Sequence, residues 1–209
     1  MEIGTYIAIG IAGYLLGSFP TAYLVVKCFT GKNILEHGTG NVGTMNTHRT
    51  TNSKVLTLLA LVGDVLKGGI ALLLGLYVAH ALGFDAQVGA ALGGILAVAG
   101  HNYSMFLKFE GGKGLATSAA TLLYFAPPLG AVWTGVFFLT VALTKLMVLG
   151  QILATVVTPI VAHIIFPDVA PIIDALAFLV FVRHAPRLKN VIKGTEPSLY
   201  YKVRPPDGQ

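Results

Sequence analysis

Apolar runs of membrane-spanning length alternate with short polar segments along almost the whole chain. They cover about 3–27, 53–82, 86–107, 114–127, 129–147, 149–166 and 168–184. A run of about 20 apolar residues is what crosses a bilayer as one helix. The pattern predicts an all-α integral membrane protein with seven transmembrane helices, forming a single membrane-embedded domain over residues 1–209. The 53–82 run is overlong and contains Asp64 and Lys67, so it must tilt, break or leave the bilayer. The 114–127 run is short, ends at Pro127-Pro128, and reads as either spanning or half-inserted. The first run is too long for a signal-peptide core and lacks a basic leader and a small-residue cleavage site, so it reads as a mature helix.

Composition agrees with this pattern. The chain is 55% hydrophobic and only 11% charged, with mean hydropathy +0.75, against about 25% charged residues in a soluble domain. The net charge of +5 therefore reports topology and anionic lipids or substrates rather than nucleic acid. Lys27, Lys32, Arg49 and Lys54 bracket the first long polar segment. Lys108 and Lys113 flank a glycine stretch, Lys145 sits in a tight connection, and Arg183, Arg187, Lys189, Lys193, Lys202 and Arg204 follow the last span. With seven spans these segments share one side, which places the C-terminus in the cytoplasm and the N-terminus outside. The single Cys28 excludes an internal disulfide and reads as a packing residue.

Three of the cytoplasmic segments carry anion-binding chemistry. In "GKNILEHGTGNVGTMNTHRTTNSK" (31–54), Gly38, Gly40 and Gly43 permit converging backbone N–H groups. Thr39, Asn41, Asn46 and Thr47 add neutral donors, and Arg49 can grip a phosphate with two hydrogen bonds. Gly111-Gly112-Lys113-Gly114 directly precedes an apolar helix, where free N–H groups and the helix dipole favour an anion. Lys113 supplies a full charge and Thr117 a hydroxyl one turn later. The spacing is not that of a Walker A loop. The third segment, "RHAPRLKNVIKGTEP" (183–197), holds His184 beside the last span with Arg183 and Arg187. The bland readings are a flexible loop, a snorkelling lysine and a charged anchor. Asp64 and Lys67 are i,i+3 partners on one helix face, expected to be structural or to line a site. No segment offers a nucleophile–His–acid triad or a metal cluster, so neither a metal nor a cofactor is expected. The pattern suits activated, highly anionic substrates that the protein positions and neutralises.

Several stretches together resemble a known family. "YLLGSFPTAYLVVK" (14–27), "GTGNVGTMN" followed by Arg49, "GDVLKG" (63–68), "GHNYSMFLKFEGGKGLAT" (100–117) and "RHAPRLKNVIKGTE" (183–196) are similar, in order and spacing, to the bacterial acyl-phosphate:glycerol-3-phosphate acyltransferases of the PlsY type. The resemblance implies a seven-helix enzyme of the bacterial inner membrane with its active site on the cytoplasmic side. It implies transfer of a fatty acyl group from acyl phosphate to the 1-hydroxyl of glycerol 3-phosphate, giving lysophosphatidic acid and inorganic phosphate, without acyl-CoA or acyl carrier protein. Carried over to this chain, it implies catalytic roles for Thr39, Arg49, Lys113 and His184. Substrate binding falls to Asn41, Gly43, Asn46, His101, Gly111, Gly112, Gly114 and Arg187, and a structural role to Glu196. Membrane lipid is the surrounding partner and a monomer is expected.

The chain departs from the family pattern at Thr39 (usually Ser), Met45 (usually Thr), Ser104 (usually Pro) and Arg187 (usually Asn). Thr39 keeps the hydroxyl, Met45 loses a donor, and Arg187 adds charge but accepts no hydrogen bond. These departures keep two alternatives in view: a divergent member that binds acyl phosphate or lipid without turnover, and a small transporter of a phosphorylated solute. Either the substrate's own phosphate or His184 can take the hydroxyl proton. Two matches to the His-x4-Asp pattern of another acyltransferase class, His80/Asp85 and His163/Asp168, lie at the outer ends of spans, away from the glycine loops.

Overall fold

The computed structural model is helical and describes residues 1–197. Lys202 and Arg204, counted above as cytoplasmic charges, lie outside the described residues. The α-helices in chain order are α1 (Glu2–Ser18), α2 (Thr21–Thr30), α3 (Thr44–Thr51), α4 (Lys54–Ala81), α5 (Ala86–Asn102), α6 (Leu115–Phe125), α7 (Pro127–Thr144), α8 (Met147–Ile165) and α9 (Ala170–Ile192). Among the described residues five stretches are long and apolar enough to cross a membrane: Glu2–Thr30, Lys54–Ala81, Ala86–Leu107, Pro127–Thr144 and Met147–Ile165. Leu58, Leu66, Ile70, Leu73 and Tyr77 on α4 and Phe138, Leu139 and Leu143 on α7 are all more than half exposed. An apolar surface of that extent calls for a hydrocarbon solvent.

The elements differ from the sequence expectation in physically intelligible ways. The 3–27 run is two helices, because Pro20 lacks an N–H and pushes Phe19 out of helical geometry; Phe19 has φ −57° and ψ 120°. The carbonyls freed at this break are taken up by side chains. Ser104 Oγ donates to Ser18 O at 2.5 Å and Lys67 Nζ donates to Phe19 O at 3.0 Å. Such satisfaction is required at membrane depth. The 53–82 run does not break: α4 continues for 28 residues, about 42 Å at helical rise, so it tilts or emerges from a hydrocarbon core of roughly 30 Å. By contrast α6 has 11 residues, about 16 Å, the length of a half-inserted helix. The last run continues past its apolar portion to Ile192, although Pro186 lies inside it. One helix, α3, forms within the polar 31–54 segment.

Close backbone approach holds the first half together. On the α1–α5 seam, a Cβ on Gly17 would overlap the backbone of Ala97, and on the α4–α5 seam a Cβ on Gly75 would overlap Gly89 O. Without a hydrophobic driving force between helices in lipid, such small-residue contacts carry the association. Gly75→Ala is therefore expected to destabilise the protein by about 1–3 kcal/mol, the usual cost of overpacking. Gly4→Ala, where an added Cβ meets nothing within 4 Å, should leave the melting temperature in detergent unchanged; thermal unfolding of the two variants checks this.

Candidate functional site

A cavity of about 800 Å³ opens between α3, the 110–114 loop and α6–α9. One end is lined by Thr39, Asn41, Gly43, Arg49, Lys113 and Arg183. Another part of the wall is formed by Leu122, Leu123, Trp133, Thr158, Ile173 and Leu176. Residues of the first turns of α3 (Thr44, Met45, Asn46) and α6 (Leu115, Ala116) also border it. Two helix N-termini and several cations thus meet in one space, and both favour an anion.

The glycine loop is shaped from outside. Arg183, from α9, donates from Nε to Gly112 O at 2.9 Å and from Nη2 to Gly111 O at 2.8 Å, while its guanidinium lies 5.3 Å from the centroid of the Tyr103 ring. Gly112 N donates to His101 O at 3.0 Å. A Cβ on Gly112 would overlap His101 Nε2, so only glycine fits there. Gly114 caps α6 with φ +81°, a conformation that glycine adopts without penalty. Lys113 follows these constraints into the cavity. Burial first, then the neighbouring Arg187, push its ammonium down to about 8.

The 34–46 loop is organised by Asn46. Its Oδ1 accepts from Thr39 N at 2.8 Å, and its Nδ2 donates to His37 O at 3.0 Å and Ile34 O at 3.2 Å. Asn46, expected to bind substrate, lines the cavity with both amide protons directed to backbone carbonyls, and its side chain braces Thr39. Thr39, Asn41, Gly43 and Arg49 do line the cavity.

A buried polar cluster borders this site through Asp64 and His101. Asp64 accepts from Thr21 Oγ1, pairs with Lys67 Nζ at 2.9 Å, and has its Oδ1 3.4 Å from His101 Nδ1. Asp64 and Lys67 are the structural pair that the sequence suggested. His101 touches the cavity wall, but its ring is held between Asp64 and Gly112, so it supports the loop.

On α9 the assignments shift. His184 is fully buried and is not on the cavity wall. Its Nδ1 lies 2.8 Å from Val180 O and its Nε2 3.1 Å from the side-chain amide of Gln151. His184, expected to be catalytic, sits behind the cavity wall with Gln151 in front of it. Arg187 reaches the wall, with its Nε and Nη2 engaged by Glu196 at 3.0 and 2.6 Å. Glu196, expected to be structural, is buried in this pair, and one edge of Arg187 is committed to it. Thr117 is buried against Gly68 of α4 and offers no hydroxyl to the cavity; Ser118 does border it. Of the His-x4-Asp matches, Asp85 caps α5 through Gln87 N and Val88 N, and His163 pairs with Asp174 rather than Asp168.

Sequence reading counted Arg183 only as charge, and missed Gln151 altogether. The departure at Ser104 has a structural account in its bond to Ser18 O. Met45 borders the cavity, and nothing in the structure explains its replacement of a hydroxyl.

Comparison with known proteins places these observations. Residues 7–194 match the family model described as glycerol-3-phosphate acyltransferase. The chain is 37% identical to a glycerol-3-phosphate acyltransferase of Clostridioides difficile, over 97% of this chain and 99% of that one. It is 40% identical to one of Trichlorobacter lovleyi, over 89% and 94%. Among solved structures it resembles PlsY (YgiH), an integral membrane glycerol 3-phosphate acyltransferase in its glycerol 3-phosphate form. The TM-score is 0.78 at 27% identity, covering 92% of this chain and 94% of that one. A lysophosphatidic acid form of the same protein matches with the same TM-score.

The lowered Lys113 gives a direct test of the anion site. Sulfate keeps its charge throughout the accessible range, so any pH dependence belongs to the protein. Its affinity, measured by calorimetry, is expected to be constant below pH 8 and to fall as pH rises through about 8, where the ammonium loses its proton. Lys113→Arg, which stays charged, should remove the fall.

Proposed function

Because this chain belongs to the glycerol-3-phosphate acyltransferase family, we propose that it takes a fatty acyl group from acyl phosphate and esterifies the 1-hydroxyl of glycerol 3-phosphate with it. It is an acyltransferase of a multi-pass membrane protein family and forms lysophosphatidic acid. The proposal beyond that concerns the donor, the residues and the orientation in the membrane.

The observation that carries it is the joining of a cationic, glycine-lined end to an apolar wall within one cavity. An acyl phosphate has that shape: a dianionic head on a hydrocarbon tail. Arg49, Lys113 and the exposed edge of Arg187 neutralise the two phosphates, and the backbone N–H groups of the glycine loop and α6 meet the head group. The 1-hydroxyl oxygen attacks the acyl carbonyl carbon, a C–O ester bond forms, and the carbonyl–phosphate C–O bond breaks. The hydroxyl proton leaves on the departing phosphate, so products and charges balance without a protein base. Cations fixed around a leaving phosphate stabilise the charge that gathers on it, and holding both substrates together supplies the orientation. Thr39, with its amide tied to Asn46, presents its hydroxyl at the same end.

Seven crossings of the inner membrane, made by the five long apolar stretches, α9, and the short α6 completed by the cavity-lining 110–114 loop, give an external N-terminus and a cytoplasmic site. This orientation is supported by the clustering of Lys and Arg in the segments that form the cationic end. It brings the water-soluble acceptor to the site from the cytoplasm and the lipid donor from the bilayer. The chain is taken to act as a monomer.

Phosphate release by the purified protein in lipidic mesophase tests the reading. With palmitoyl phosphate, release is expected to require glycerol 3-phosphate, and palmitoyl-CoA is expected to give no acyl product. Silence from folded protein with both donors would instead favour binding without turnover. Lys113→Ala should lower kcat/KM by about a hundredfold or more, the scale of losing a preorganised charge contact, while the protein still inserts and folds.

A further inference from the structure

The contact between His184 and Gln151 contains a donor–acceptor conflict that fixes the orientation of Gln151. Val180 O is a carbonyl and only accepts, so the proton of the His184 ring lies on Nδ1, 2.8 Å away. His184 is buried, Arg183 and Arg187 are near in sequence on its own helix, and it has no carboxylate partner among the described residues. A second ring proton would add an unpaired buried charge beside cations, which burial opposes. Nε2 is then a bare lone pair and needs a donor. The atom 3.1 Å from it is drawn as Gln151 Oε1, which is also an acceptor. The two ends of a side-chain amide have nearly the same shape, and the hydrogen-bond network assigns them. Turned about its last bond, the amide donates from Nε2 to His184, and its oxygen points away from the ring. Gln151 lines the cavity, so this oxygen is a neutral acceptor on a wall that also carries the carboxylates Asp64, Glu110 and Glu196, the first and last of them paired with Lys67 and Arg187.

We infer that Gln151 is a specificity-determining residue whose amide oxygen accepts a hydrogen bond from a hydroxyl of the glycerol backbone, with His184 locking the amide in that orientation. The inference rests on the reading of glycerol 3-phosphate as acceptor substrate. A phosphate has only acceptor oxygens when ionised and gains nothing from a carbonyl, whereas a hydroxyl has a proton to donate. The cationic groups therefore select the phosphate end and Gln151 the hydroxyl end, which fixes the direction in which the acceptor lies. A buried acceptor left unpaired penalises ligands lacking the hydroxyl, so the same group also rejects simple alkyl phosphates.

The test compares glycerol 3-phosphate with propyl phosphate, which has the phosphate and the carbon chain but no hydroxyl. In the wild type, propyl phosphate is expected to compete at least tenfold more weakly, the scale of one hydrogen bond. Gln151→Leu should raise KM for glycerol 3-phosphate by about tenfold and tighten the inhibition constant of propyl phosphate severalfold, since that ligand loses no hydrogen bond and no longer strands a buried acceptor. Gln151→Met, of closer length and shape, gives the same comparison if leucine impairs folding. An equal loss for both ligands would make Gln151 a structural residue and overturn the inference. So would an unchanged KM, or a wild type that binds both ligands equally. Failure of the underlying reading looks different: the wild type would then show no phosphate release that depends on glycerol 3-phosphate.

Discussion

The two hydrogen bonds from Arg183 to the carbonyls of Gly111 and Gly112 are the constraint on which the site depends. A glycine pair has little conformational preference of its own. Left to itself the 110–114 loop would sample many shapes, and the start of α6 would lose its alignment with the cavity. One planar guanidinium with two donors on one edge fixes two successive carbonyls at once. With the carbonyls drawn outward to α9, Lys113 follows into the cavity and the first turn of α6 faces it. Arg183 thus spends its charge on backbone dipoles, while Lys113 is carried on the cavity wall where an anion can meet it.

That arrangement needs a rigid support, and the buried polar cluster supplies it. Pro20 divides the first membrane run, and a broken helix exposes carbonyls that hydrocarbon cannot solvate. Lys67 reaches one of them while paired with Asp64, and Asp64 is also linked to Thr21 and to His101. One ion pair therefore ties the break between α1 and α2 to α4 and to the end of α5, where His101 backs Gly112. A lone lysine or aspartate at this depth would be costly, whereas the pair is balanced in charge and its polar atoms have partners.

Much of this was legible in sequence. Hydrophobic run length located the five long apolar stretches of the described residues, since the bilayer imposes it, and the glycine and basic segments are ones that border the cavity. The assignments that changed depend on helical phase and on which way a side chain turns. Arg183, His184 and Arg187 sit within two turns of α9, yet at about 100° per residue they face a loop, the protein interior and the cavity mouth in turn. Their shared positive character in sequence conceals three different tasks. Asn46 shows the same limit: its amide can serve a ligand or the chain, and only the positions of Ile34 and His37 carbonyls decide. Helix α3 lacked an apolar stripe to announce it. The break at Pro20 was hidden because apolarity continues through it. Gln151 escaped notice because a single glutamine near a helix start has no pattern.

The glycine seams also make the molecule mechanically uneven. Where α1, α4 and α5 meet, backbone rests on backbone, and there are no rotamers to adjust. Sliding by a fraction of an ångström turns contact into overlap, so these three helices behave as a stiff wall. The opposite side of the cavity, formed by α7 to α9, is lined by Trp133, Ile173 and Leu176, side chains that can change rotamer at little cost. A hydrocarbon tail entering from the bilayer therefore has one compliant side to push against. Room for such a tail is therefore found on the α7–α9 side, while the 110–114 loop rests through Gly112 and His101 on the stiff side.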